Sequence, residues 1–94
     1  ATHEAVALCR RLADQHPDAF IPDLVGSLGA YGLVLMSLGR ALEACAAFAE
    51  GLRRILRIAR ADPAAFRDLI AALRRYYLQA CQATGQEPER DLIE

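Results

Sequence analysis

The chain has no lysine and no tryptophan, and aromatic residues make up only 6% of it. All eleven basic residues are therefore Arg, a type suited to bidentate pairing with carboxylates. A bias that runs through the whole composition gives no single Arg special weight. β-Branched residues are few beside Ala and Leu, which favours helix over sheet. Only His3 and His16 could act as near-neutral bases, and both fall at helix ends. Ser27 and Ser37 have no evident His or acidic partner. No HExxH, phosphate-cradling glycine loop or nucleophile elbow occurs, and His3 with Cys9 is not metal-ligand spacing. These absences argue against an enzyme, a metal site and a bound cofactor.

Cysteine is also scarce. Cys9, Cys45 and Cys81 are odd in number, contain no CxxC pair and each sit in apolar helical context. That argues against a disulfide framework and predicts buried thiols in a reducing cytoplasm. No run of ~18 uninterrupted apolar residues is present. Residues 24–38 are apolar but carry several Gly and Ser, so they read as a buried helix rather than a membrane span. The expectation is a chain without a secretory signal. A net charge of −1 implies no polyanionic partner for the chain as a whole.

At 94 residues, with 54% hydrophobic and 24% charged residues, the composition is that of one globular domain or less. The chain lacks an initiator Met and begins directly in amphipathic sequence, so we expect it to be excised from a longer protein. Thr2 is an expected N-cap, and Ala5, Leu8, Cys9 and Leu12 trace the apolar stripe of a first helix ending near His16. A short turn then leads to a second helix starting at Pro22 and stopping at Gly39. Gly26, Gly29 and Gly32 recur along it, each costing about 1 kcal/mol of helix propensity, which predicts tight helix packing.

The third helix spans 40–61, with Ala41, Cys45, Phe48, Leu52, Ile55 and Ala59 as its ridge. Leu42, Ala46, Ala49 and Leu56 widen that ridge enough for packing on two sides. Glu50 and Arg54 form an i,i+4 pair on the wet face. Asp62 and Pro63 restart the chain as a fourth helix through Phe66, Leu69, Ile70, Leu73, Tyr77, Ala80 and Cys81. Gly85 ends it, and 86–94 begins a fifth.

The chain resembles itself at one offset. Pro17 and Pro63, Phe20 and Phe66, Tyr31 and Tyr77, and Gly39 and Gly85 each stand 46 residues apart. A helix pair per period is the pattern of an α-solenoid. The central unit is similar to a tetratricopeptide repeat (TPR). Gly32 matches the glycine of helix A and Gly39 the turn glycine. Ala44 and Gly51 match the small residues where the helices cross, Phe48 the helix-B aromatic and Pro63 the closing proline. Common units are about 34 residues long, so the 46-residue period resembles instead the long-helix subfamily of bacterial multidomain signalling proteins.

The resemblance implies an all-α fold of antiparallel helix hairpins, four helices plus the start of a fifth, in one TPR-like domain. Residues 1–17 would be helix B of a preceding repeat, 18–62 a complete repeat and 63–94 a partial one. It also implies a protein or peptide partner docked in a concave groove formed by Gly29, Leu33, Met36, Ser37, Arg75, Tyr76 and Gln79. Arg75 and Gln79 depart from the Lys and Asn of carboxylate-clamping members, which argues against capture of a peptide C-terminus. Two alternatives remain open. Arg53, Arg57 and Arg60 form a stripe that could touch nucleic acid, although interleaved aromatics are missing. Exposed solenoid ends could instead make the chain self-associate.

Overall fold

The computed structural model describes residues 2–93, and these are all-helical. The elements are α1 (Thr2–Gln15), α2 (Pro17–Ser37), α3 (Ala41–Ala59), α4 (Arg67–Thr84) and a single turn, α5 (Arg90–Ile93). The side chains of Thr2, His3, Ala5, Pro17 and Asp18 lie outside the described set, and with them the N-cap expected at Thr2. Each long helix packs mainly on its neighbours in sequence: α1 on α2, α2 on α3 and α3 on α4. Lighter contacts join α2 to α4 and α3 to α5. The result is a slab of 34 × 32 × 17 Å.

The core runs along α2 and α3. Leu24, Val25, Leu28 and Leu35 of α2 face Phe48, Leu52 and Ile55 of α3, all essentially inaccessible to water. The ridge expected on α3 is buried along its length except for half-buried Ala41, and the helix packs on both α2 and α4. Leu42 and Ala46, expected to widen that ridge, are exposed instead. They lie in the first two turns of α3, just after the turn that joins it to α2.

Four other boundaries or faces differ from the sequence reading, the simplest being that the fifth helix starts at Arg90 and not at residue 86. The second helix starts at Pro17, not Pro22. The His16 carbonyl accepts the amides of Ala19 and Phe20 (3.2 and 3.1 Å), so the first turn forms before Pro22 is reached. Pro22 then removes one backbone bond near the helix end, and burial of Ile21, Leu24 and Val25 offsets that loss. The fourth α-helix starts at Arg67, not Pro63. Asp62 does cap a turn, accepting the Ala65 amide on both its carbonyl and Oδ1 at 3.3 Å. Phe66, at φ −114° and ψ 10°, then departs from helical geometry, so that turn is not continuous with α4. On α1, Leu8 is exposed, whereas Val6 and Ala13 are buried and Cys9 and Leu12 half-buried. The helix is rotated so that Arg10 and Asp14 lie beside α3.

The stop at Gly39 is as expected and has a specific cause. Gly39 sits at φ +74°, the Arg40 amide donates to the Leu35 carbonyl (2.8 Å), and the Gly39 amide donates to the Met36 carbonyl (3.1 Å). This pair of bonds is a Schellman cap, which uses the left-handed residue to satisfy the last carbonyls. Gly85 repeats the conformation at φ +73° after α4.

Candidate functional site

Helical spacing puts Gly29, Leu33, Met36 and Ser37 on one face of α2, and Arg75, Tyr76 and Gln79 on one face of α4. Leu33, Ser37, Arg75 and Gln79 are exposed; Gly29, Met36 and Tyr76 are half-buried. The two helices touch, and a Cβ built on Gly29 would meet Leu73 Cδ2 at 3.6 Å. Ser37 spends its hydroxyl on the Leu33 carbonyl (3.2 Å). Tyr76 is partly structural, with its ring centroid 5.7 Å from that of Phe48. Both cavities described below are lined by other residues.

The outer surface of α2 has an unusual character. Between residues 24 and 39 there is no charged side chain. Yet Gly26, Ala30, Leu33, Val34, Ser37 and Leu38 all face solvent. Leu33 is 42% exposed, Val34 46% and Leu38 64%, and Leu78 adds an apolar residue beside Arg75 and Gln79 on α4. The stretch 19–37 is long and apolar enough to cross a membrane by length and composition, because α2 extends further than residues 24–38 alone would predict. In this fold its inner face is the centre of a helical core.

The junction beneath this face is built by one close approach. A Cβ added at Gly32 would lie 2.6 Å from Phe48 Cζ and 2.9 Å from Cδ1, well inside contact distance. Phe48 is fully buried, so the ring has nowhere to move. Gly51, by contrast, has only ordinary van der Waals neighbours at 3.7 Å or more.

A second polar arrangement ties α1 to α3. Arg10 donates to Glu50 through Nε (2.9 Å) and Nη2 (2.5 Å), a bidentate fork. Glu50 also pairs with Arg54 Nε (3.4 Å), as the i,i+4 spacing predicts, and Arg54 Nη1 reaches Asp14 (3.3 Å). The hydrogen bond that Arg10 donates to Glu50 is the main reason its guanidinium holds its proton more tightly than usual. Beside this chain of charges is a cavity of about 530 Å³, where Asp14, Glu50, Arg53, Arg54 and Arg57 rim Ile21 and Ile58. Arg53 turns away to Glu89 (2.6 Å). Of the stripe Arg53, Arg57 and Arg60, that leaves Arg57 and Arg60 without an ion-pair partner among the described residues.

All three cysteines are free thiols, and Cys45 and Cys81 are buried. Their sulfurs lie 3.8 Å apart across the α3–α4 seam. Burial, then the hydrogen bond with Cys45, pushes the Cys81 thiol from its ordinary 9.0 up to about 11. Burial likewise raises the Tyr77 phenol above its ordinary 10.0. An unfolded chain therefore loses the Cys81 proton above pH 9 while the folded chain keeps it. That stabilising difference is complete below pH 9 and is lost as pH rises toward 11. Urea midpoints should fall between pH 9 and pH 10, before the phenol contributes. Cys81→Ala should be less stable at pH 8 but flatter across that interval. A wild-type midpoint constant from pH 8 to pH 10 would contradict a buried, protonated thiol.

The sequence contained no local signal for the Arg10–Glu50 fork or the Cys45–Cys81 contact, since their members are 40 and 36 residues apart. No family model, curated protein or solved structure matches this chain.

Proposed function

We propose that this chain is a non-catalytic helical-repeat module that docks a peptide or partner helix on the uncharged outer face of α2 and the adjoining face of α4. The observation that carries the reading is the exposed, charge-free surface from Ala30 to Leu38 on a helix whose other side is core. Exposed contiguous apolar surface is the usual mark of an interaction site. A helix or extended peptide presenting apolar side chains at helical or alternate spacing is the partner such a face suits. Met36 supplies an adaptable edge, and Arg75 a contact for an acidic group on the partner.

The TPR-like repeat belongs to the same proposal. Its supports are the sequential helix packing, the Gly32–Phe48 approach and the left-handed glycines 46 residues apart. On this reading the chain serves within a larger bacterial signalling or regulatory protein in the cytoplasm. A peptide-array screen with wild type, Leu33→Asp and Arg75→Glu tests the site. Both substitutions are at exposed positions and should leave the helical circular dichroism unchanged. Leu33→Asp should abolish most hits, and Arg75→Glu should remove the acidic subset. Identical hit patterns for the three folded proteins would remove α2 and α4 as the docking face.

A further inference from the structure

The Cys45–Cys81 contact is unlike a chance meeting of core residues. Cys45 lies in the second turn of α3 and Cys81 in the last turn of α4. These two helices are antiparallel neighbours, so the pair bridges one end of their seam. The sulfurs are already in van der Waals contact at 3.8 Å, and the Cys45 thiol is directed at the Cys81 sulfur. Thr84 Oγ1 approaches Cys45 Sγ at 3.9 Å and completes a small polar pocket around it.

A cavity reaches one member of the pair. It measures about 310 Å³, and Cys45, Tyr77, Gln86 and Glu89 are among the residues that line it. The segment 85–89, which supplies the last two of these, is fastened by a few polar links. The Gln86 amide donates to Thr84 Oγ1 (3.2 Å), the Glu89 amide donates to the Tyr77 hydroxyl (3.1 Å), and the Glu89 carboxylate pairs with exposed Arg53. Fastenings of this kind open locally at much lower cost than the core.

We infer that Cys45 and Cys81 form a reversible dithiol latch, oxidised by small-molecule disulfides to a bond that staples α3 to α4. The exchange takes two steps. The sulfur of Cys45, a residue of the cavity lining, attacks one sulfur of the external disulfide as a thiolate, having lost its proton to solvent. A mixed disulfide forms and one small thiolate leaves, taking up a proton. The Cys81 sulfur, deprotonated in turn, then attacks the Cys45 sulfur, forms the Cys45–Cys81 bond and expels the second small thiol. Two protein thiols and one external disulfide become one protein disulfide and two small thiols. The raised affinity of Cys81 for its proton makes the second step slow at neutral pH and faster as pH rises.

The test exposes the folded chain to 2-hydroxyethyl disulfide at pH 8, followed by acid quench, intact mass and a non-reducing tryptic map. The expected product has lost about 2 Da at Cys45 and Cys81, and tryptic peptides 41–53 and 76–90 remain joined. Cys9, isolated from this pair in the sequence and half-buried, either stays free or carries a separate adduct. The linked protein should melt on the order of 10 °C higher than the reduced form, because the bond closes a long loop. Reductant should reverse both the link and the shift. Cys45→Ser should give neither. The latch is overturned if 41–53 and 76–90 join only after denaturation, if the two cysteines end as separate mixed disulfides, or if linkage leaves the melting temperature unchanged or lower.

Discussion

Phe48→Ala is expected to lower stability by about 3–5 kcal/mol, the range for emptying a fully buried aromatic site. A chain of this length holds roughly 5–14 kcal/mol in total, so the variant should sit near the edge of folding. The ring is inaccessible to water, packs beside Tyr76 and closes over the bare backbone at Gly32. It therefore joins α2, α3 and α4 at one point. The companion variant makes the claim specific. Gly32→Ala in the wild type should cost about 1–3 kcal/mol, because its methyl would overlap the ring and overpacking is penalised. In the Phe48→Ala background the same methyl enters the vacated space. There Gly32→Ala should become neutral or stabilising by up to about 1 kcal/mol, the helix propensity of Ala over Gly. Urea unfolding of the four proteins measures the sign change directly. Equal effects of Gly32→Ala in both backgrounds would mean that the close approach is not what requires glycine.

Glu50→Ala should be the most costly of the surface charge changes, at about 1–2 kcal/mol. An exposed ion pair contributes little, but this carboxylate accepts a bidentate fork from Arg10 and a further contact from Arg54 while only 26% exposed. With the Arg54–Asp14 pair it ties α1, held chiefly by α2, to α3. Loss of the carboxylate should speed amide exchange in α1 more than in α4. Part of the cost should disappear in high salt. Arg11→Ala, a nearby exposed change on α1, is the control. If Glu50→Ala behaves like that control, in stability and in α1 exchange, the fork contributes nothing.

Helix content and most helix ends were legible because they depend on neighbours in sequence. Gly39 and Gly85 stop helices wherever the chain folds, since a left-handed residue is needed to satisfy the last carbonyls. The apolar ridge of α3 follows from helical spacing alone. Pro22 and Pro63 were less informative. Whether a proline starts a helix or is carried within one depends on the turn before it, and at Pro63 on the backbone of Phe66. The candidate docking residues were legible as positions on helix faces. Their exposure was not, because a uniformly apolar helix such as α2 has no pattern to say which side is covered.

The sequence by itself determined an all-helical chain and the helix stops at Gly39 and Gly85. Only the tertiary structure decided which face of α1 is inward, that α2 presents a charge-free surface, and that Cys45 meets Cys81. The physical reason is the range of the interactions. Hydrogen bonds that form helices and caps close over three to five residues, so composition and spacing encode them. The Arg10–Glu50 fork and the paired thiols join residues 40 and 36 positions apart, and exist only where packing brings separate helices together.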